Sequence, residues 1–359
     1  MPLTTNILQV TNQLFLPVEY PCLHSQLQQF ASVQPFSGKE VLYAAPLTRN
    51  TLVALLPVFA GGAQVTLSWP DIIDPDEDAL SLMESLGVAC YQTVPEGKTF
   101  DLIFDCCGKY AGYSAISGHV ELTRSGLDKY KVQHNKACLD VDSTLIKNFE
   151  TILGTGESLV RALKQSGFTE LAGKRFLLFG YGKVGQGISR ALLNEKADIR
   201  IVELRGDLTF PEGTHYIDGQ SAPAVTAEVQ KADFVVTATG IESVIENNYP
   251  VNEFIESPAK LINMGGEDEF GEAFPAEAVL NGKHTFNFIL DDPTRMEFID
   301  PIFAVYNECG KLLLEKTYSA GVHLPPDELI MPVAEQFCET QGIDIGQWLP
   351  MKTGACAPV

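Results

Sequence analysis

Apolar and polar positions along this chain follow two alternating rhythms. "KEVLYAAPL", Lys39–Leu47, is an apolar run of strand length, and "TRNTLVALLPVFAGG", Thr48–Gly62, has the spacing of an amphipathic helix that stops at a glycine pair. "AQVTLSW", "DEDALSLMESLG", "VACYQ" and "FDLIFDCC" keep strands and helices alternating. That alternation predicts a parallel sheet with helices on its faces. A second α/β unit starts near Thr151, with "ESLVRALKQSG" as a helix and "ADFVVTATG", "AKLINMGG" and "HTFNFIL" as later strands. After Leu290 the pattern turns helical through "MEFIDPIFAVYNECGKLLLEK" and "PPDELIMPVAEQFCETQG", where proline opens the second helix. No repeat or low-complexity segment interrupts these rhythms.

The stretch with the most chemical content is "RFLLFGYGKVGQGISRALLNEKADIRIVEL", Arg175–Leu204. Arg175–Phe179 reads as a strand, and Gly180, Gly182 and Gly185 follow in G-x-G-x-x-G spacing. Ile188, Ala191, Leu192 and Leu193 form a helical stripe, and Ile199–Val202 is a second strand ending on Glu203. Glycines there let the backbone approach a pyrophosphate, whose charge sits against N–H groups at a helix N-terminus. An acid at the end of the second strand accepts hydrogen bonds from the adenosine ribose. The pattern therefore predicts a bound dinucleotide. Glu203 would repel a 2′-phosphate and favours NAD, while Arg205 keeps NADP as an alternative.

Composition narrows the rest. The chain has 359 residues, 45% of them hydrophobic, so it can bury more than one core. A formal charge of −21 without a basic stripe speaks against a nucleic-acid partner. No apolar run reaches membrane-spanning length, and "MPLTTNILQVTNQLFLPVEY" lacks the basic start of a secretory signal. The eight cysteines are scattered apart from Cys106-Cys107, with no C-x-x-C pair, which argues against zinc and a disulfide framework. A cytoplasmic location is expected.

The residues resemble the S-adenosylhomocysteine hydrolase (adenosylhomocysteinase) family. The likeness begins at "EYPCLHSQLQQF" and runs through "FDLIFDCCGK" and "GHVELTRSG". It is strongest in "DVDSTLIKNFETILGTGESLVRALK" and "LAGKRFLLFGYGKVGQG", and persists in "LINMGG", "FNFIL" and "GVHLPPDELI". The resemblance implies two Rossmann-like doubly wound parallel sheets, the NAD domain inserted in the substrate domain. Residues 1–150 would begin the substrate domain, 151–293 form the NAD domain, and 294–359 complete the substrate domain as a helical segment. Family members hold NAD, oxidise the substrate's ribose 3′-hydroxyl, eliminate or add at the neighbouring position, and return the hydride.

Carried over residue by residue, Gly180, Gly182, Lys183, Val184 and Gly185 match the family's pyrophosphate turn and Glu203 its ribose acid. Thr239 and Gly240 match a turn along the cofactor, and Asn287 a residue that meets the nicotinamide amide. Thr123 and Ser125 fall in a run of threonines that reaches NAD from the substrate domain, interrupted here by Arg124. The catalytic half departs. Pro46, Gly266 and Thr294 stand at histidine positions, Cys106 at an aspartate, Leu122 at a glutamate and Ile146 at a lysine. Thr151 and Thr155 stand at an asparagine and a cysteine, and the chain's "QWLPMKTGACAPV" lacks the family's Lys- and Tyr-containing tail.

Three groups remain as catalytic candidates. Glu150 replaces one carboxylate with another at the expected hinge, Lys147 adjoins the lost lysine, and Asp105 ends a predicted strand where α/β sheets contact ligands. Cys106 and Cys107 are expected to be buried, inert thiols. His134 and His323 are expected to be structural. These residues together predict an NAD-dependent oxidoreductase on a small-molecule substrate other than S-adenosylhomocysteine, expected to form a homo-oligomer. A non-catalytic NAD-binding sensor or scaffold, and an adenosylhomocysteinase with relocated catalytic groups, stay open. A D-2-hydroxyacid dehydrogenase fits by fold, but no Arg–Glu–His constellation supports it.

Overall fold

A computed structural model of the protein describes residues 2–133 and 136–349; His134 and residues 350–359 lie outside the described residues. In chain order the strands are β1 (Glu40–Ala44), β2 (Gln64–Ser68), β3 (Ala89–Cys90), β4 (Thr99–Asp105), β5 (Ser114–Glu121), β6 (Ala137–Asp140), β7 (Arg175–Phe179), β8 (Asp198–Glu203), β9 (Thr214–Asp218), β10 (Phe234–Thr237), β11 (Lys260–Asn263) and β12 (Gly321–His323). The helices that matter below are α1 (Pro21–Val33), α2 (Arg49–Ala60), α3 (Thr155–Gln165), α4 (Lys183–Asn194) and α5 (Met296–Glu315). Two compact units emerge: the chain up to Asn148 with Met296–Ile345, and Phe149–Arg295 with the described residues after Ile345. Both are α/β units with parallel sheets. No described helix is long and apolar enough to cross a membrane.

In the first unit the strand order is β12-β6-β5-β4-β1-β2-β3, with every pairing parallel. Strands buried on both faces read as near-continuous apolar runs, which is why "VLYA" and "LIF" carry no polar alternation. The order reverses between β1 and β4, so the ligand-binding crevice of such a sheet falls outside their carboxyl ends. Helix α5 ties the later chain to this sheet. Its Asp300 accepts hydrogen bonds from the N–H groups of Cys22 (2.9 Å) and Leu23 (2.8 Å), supplying acceptors that the first turn of α1 otherwise lacks. Its Tyr306 hydroxyl donates to the Asp105 carbonyl at 2.8 Å.

The segment after Leu290 was expected to be helical throughout, and here the structure differs. Gly321–His323 adds β12 to the sheet, Val322 pairing with Cys138. Three residues are too few to show a period of two. His323 sits in this strand, its Nε2 2.8 Å from the Ser319 carbonyl oxygen.

The second unit has the order β11-β10-β7-β8-β9, again all parallel. One face buries Phe176, Leu178, Ile199, Ile201 and Val236 against α3 and α4, and the other buries Leu177, Phe179, Val235 and Leu261. Order reversal between β7 and β10 puts this crevice beside Gly180 and Ala238. The expected strand "HTFNFIL" is instead a 3₁₀ turn over Phe286–Ile289. Asn263 Nδ2 donates to the Lys283 carbonyl (2.8 Å) and Thr285 Oγ1 to the Gly265 carbonyl (2.7 Å), anchoring the segment across the end of β11 instead of alongside it.

Candidate functional site

Three loops leave the carboxyl ends of β7, β8 and β10, and each carries part of the site. Gly180 has φ +90°, and a Cβ there would come within 2.6 Å of the Ala238 carbonyl oxygen. A Cβ on Gly185 would overlap the carbonyl oxygen of Gly180 itself. On Gly182 it would meet nothing within 4 Å. One glycine makes the turn, one allows helix and strand to touch, and one leaves an open face at the N-cap of α4. First-turn N–H groups of a helix lack intrahelical acceptors, so the start of α4 at Lys183 and Val184 suits an anion such as pyrophosphate.

Glu203 ends β8 facing this turn. Its Oε2 accepts from the Tyr181 N–H at 2.9 Å, and its Oε1 accepts from Leu204 (2.9 Å) and Arg205 (3.2 Å). Burial raises its pKa, but the three N–H bonds and the Arg205 charge outweigh burial, and the net shift is downward. The side chain is thus an anion at neutral pH, as recognition of a ribose diol requires. Arg205 Nε lies 3.5 Å from Glu203 Oε1, so its charge is turned toward that carboxylate.

Thr239 and Gly240 follow β10, and a residue that sequence reasoning missed fixes them. Glu269 is completely buried. Its carboxylate accepts from the Thr239 N–H (2.9 and 3.0 Å), the Thr239 hydroxyl (2.8 Å) and the Gly240 N–H (2.6 Å). Burial raises its pKa, partly offset by those donors. Gly265 leaves the room, since a Cβ there would overlap the Glu269 carboxylate. In "NMGGEDEF" no periodicity separates Glu269 from its acidic neighbours; the double glycine was the one available signal.

Asn287 provides the clearest test of whether NAD fits. It is 6% exposed, its Nδ2 donates to the Pro293 carbonyl at 3.4 Å, and its Oδ1 is buried without a partner. A buried acceptor left unmade costs about 1–3 kcal/mol. A carboxamide N–H₂, which NAD carries on its nicotinamide, is a donor that would satisfy it. The open Gly182 face, the anionic Glu203 and the orphaned Asn287 oxygen together fit this cofactor.

The residues expected to act from the first unit behave differently. Thr123 gives its hydroxyl hydrogen to Glu121 Oε1 at 2.6 Å, and its Oγ1 accepts from the N–H groups of Cys107 (2.9 Å) and Gly126 (3.3 Å). Ser125 is exposed. Asp105, expected as a catalytic acid or base, is completely buried. Its Oδ1 accepts from the Cys106 N–H (2.9 Å), and its Oδ2 from the Tyr110 N–H (2.9 Å) and the Tyr130 hydroxyl (2.6 Å). Burial raises its pKa despite these donors. With both oxygens occupied, Asp105 clamps the β4 terminus. Glu121, missed from the sequence, is its counterpart on β5: completely buried, it accepts from the N–H groups of Cys107, Gly108 and Thr123.

Lys147 is half-buried on the helical turn Leu145–Phe149. Glu150 opens a π-helical turn, Glu150–Gly154, and its Oε2 accepts from the Thr151 hydroxyl at 3.1 Å. Single π turns are rare and concentrate at functional sites.

The comparisons with known proteins agree with this geometry. Residues 151–270 match the family model described as the NAD binding domain of S-adenosyl-L-homocysteine hydrolase. The adenosylhomocysteinase of Haloquadratum walsbyi is 23% identical over 385 aligned positions, covering 90% of this chain and 87% of that protein. That of Archaeoglobus fulgidus is 21% identical over 374 positions, covering 89% of this chain and 91% of that protein. Over most of its length the chain is thus similar to adenosylhomocysteinases, at a level that marks it as diverged from them. Its second unit is an NAD-binding Rossmann-like domain. Among solved structures, a dipicolinate synthase chain from Bacillus halodurans superposes with a TM-score of 0.46 at 15% identity, covering 77% of this chain and 98% of that one.

Proposed function

We propose that this adenosylhomocysteinase-like protein is an NAD-dependent oxidoreductase acting in the cytoplasm on a small metabolite other than S-adenosylhomocysteine. The observation that carries the reading is the unpartnered Oδ1 of Asn287. A protein that only held NAD could do so through the pyrophosphate turn and Glu203. A buried acceptor suited to the carboxamide implies that the orientation of the nicotinamide, the part that accepts hydride, matters. Glu150 is the proposed proton acceptor. The test is to present cellular metabolite extracts to the NAD-loaded protein and follow nicotinamide absorbance or fluorescence. Conversion of NAD to NADH, or the reverse, supports the reading, and Glu150→Gln should lower its rate by about 10²-fold or more while leaving NAD affinity unchanged. Silence with every extract would remove the oxidoreductase.

A second reading is a non-catalytic NAD sensor. What favours it is the first unit, where Asp105 and Glu121 are both buried and consumed by backbone donors.

The proposed cofactor choice has its own check. NAD should bind more tightly than NADP, because an added 2′-phosphate would face the Glu203 carboxylate. Losing two charge-assisted hydrogen bonds in Glu203→Ala should weaken NAD binding by about 10- to 100-fold. Calorimetry showing NADP preferred by the unmodified protein would overturn the role of Glu203.

A further inference from the structure

Cys106 and Cys107 follow β4, at the crevice where the first sheet reverses order, and the proposed function leaves them unused. Their sulfurs lie 3.8 Å apart. Cys106 is 3% exposed, as expected of an inert thiol, but Cys107 is only half-buried. Its backbone is held in a left-handed conformation, φ 60°, that side-chain-bearing residues rarely adopt. Four contacts hold it there. The Cys107 N–H donates to Glu121 Oε1 (3.1 Å) and Thr123 Oγ1 (2.9 Å), Lys129 Nζ donates to the Cys107 carbonyl (2.8 Å), and the Gly108 N–H donates to Glu121 Oε2 (3.1 Å). A costly backbone conformation fixed by a buried carboxylate and a hydroxyl is a feature that clusters at functional sites.

We propose that Cys107 is a thiol-exchange site that takes low-molecular-weight disulfides, with Cys106 as the residue that positions and activates its sulfur. The Cys107 thiolate attacks one sulfur of R–S–S–R. A Cys107–S–S–R bond forms, the original S–S bond breaks, and its other half leaves as R–S⁻, which takes a proton from water. No other oxidant is needed, because the small disulfide is itself reduced.

The surroundings favour a thiolate at Cys107. The contact with the Cys106 sulfur lowers its pKa most, burial opposes this, and the Ser125 hydroxyl lowers it further. Asp105 pushes the other way, Glu121 is pinned to backbone donors, and Lys129 adds a positive charge at the Cys107 carbonyl. Cys90 is an internal control. It is also half-buried, yet burial and Glu84 raise its pKa to about 11.

The experiment uses the full-length, NAD-loaded protein with oxidised glutathione at pH 7, read by peptide mass mapping over time. Cys107 should acquire one glutathionyl group at least about tenfold faster than Cys90, since attack requires thiolate. Cys106→Ala should move the pH midpoint of Cys107 modification upward, and Cys106→Ser, whose hydroxyl still donates, should restore it. Equal rates at Cys107 and Cys90 in the unmodified protein would overturn the proposal, as would primary modification at Cys106. A midpoint unmoved by Cys106→Ala would remove the positioning role. The readout is mass, independent of any NAD turnover.

Discussion

Given S-adenosylhomocysteine, or adenosine with homocysteine, the purified NAD-loaded protein should turn over at least about 10⁴-fold more slowly than a relative with its acid–base groups intact. Each positioned acid or base contributes about 10²–10⁴-fold, so the loss of any two accounts for that deficit. Here Pro46, Leu122 and Ile146 carry no ionisable group, and the last two are buried. Two buried carboxylates of the first unit, Asp105 and Glu121, are already engaged and cannot replace them. Asp105 accepts three hydrogen bonds and Glu121 accepts from backbone N–H groups on both oxygens, so freeing either would orphan buried donors. The assay is chromatographic, in both directions, with host hydrolase removed. A rate within tenfold of an intact relative would show that the chemistry has been relocated and not lost.

How much of this was legible in the sequence depends on how far each feature reaches along the chain. The glycine turn and the acid that ends β8 were legible because such a turn demands particular residue types at short, fixed separations. Steric contact of Gly180 with Ala238 and of Gly185 with Gly180 is the physical content of that spacing. Asn287 could be placed only through the resemblance, since nothing in "HTFNFIL" distinguishes a strand from a 3₁₀ turn anchored by Asn263 and Thr285. A strand-end acid such as Asp105 looks the same in sequence whether it faces a ligand or the backbone around it. The Tyr130 hydroxyl and Tyr110 N–H that occupy it come from other elements, and no local pattern announces them. Cys107 is half-buried where a buried thiol was expected, and its N–H is held by Glu121, fourteen positions away.

Replacing Glu269 by alanine should lower the stability of the NAD-binding unit by about 3–5 kcal/mol, because several donors buried with the carboxylate lose their acceptor at once. The carboxylate takes the Thr239 and Gly240 N–H groups and the Thr239 hydroxyl, and so anchors the turn proposed to lie along the cofactor. NAD affinity should fall at least about tenfold, since 1.4 kcal/mol of lost turn organisation suffices for that. Glu269→Gln should be milder, retaining one acceptor oxygen while turning an N–H₂ group toward donors. The pH dependence gives a separate readout. Burial raises the folded-state pKa of Glu269 above its unfolded value, so the folded protein binds the extra proton first. This contribution to stability is therefore fully present below the unfolded value and is lost as pH rises through the folded one. Glutamine does not titrate, so the stability gap between the natural protein and Glu269→Gln should widen as pH falls from neutrality toward the unfolded value. Urea unfolding of the full-length protein at several pH values measures that gap. A gap that narrows on acidification would mean that Glu269 is stabilised as an anion by its donors more than burial penalises it, reversing the balance assigned to this site.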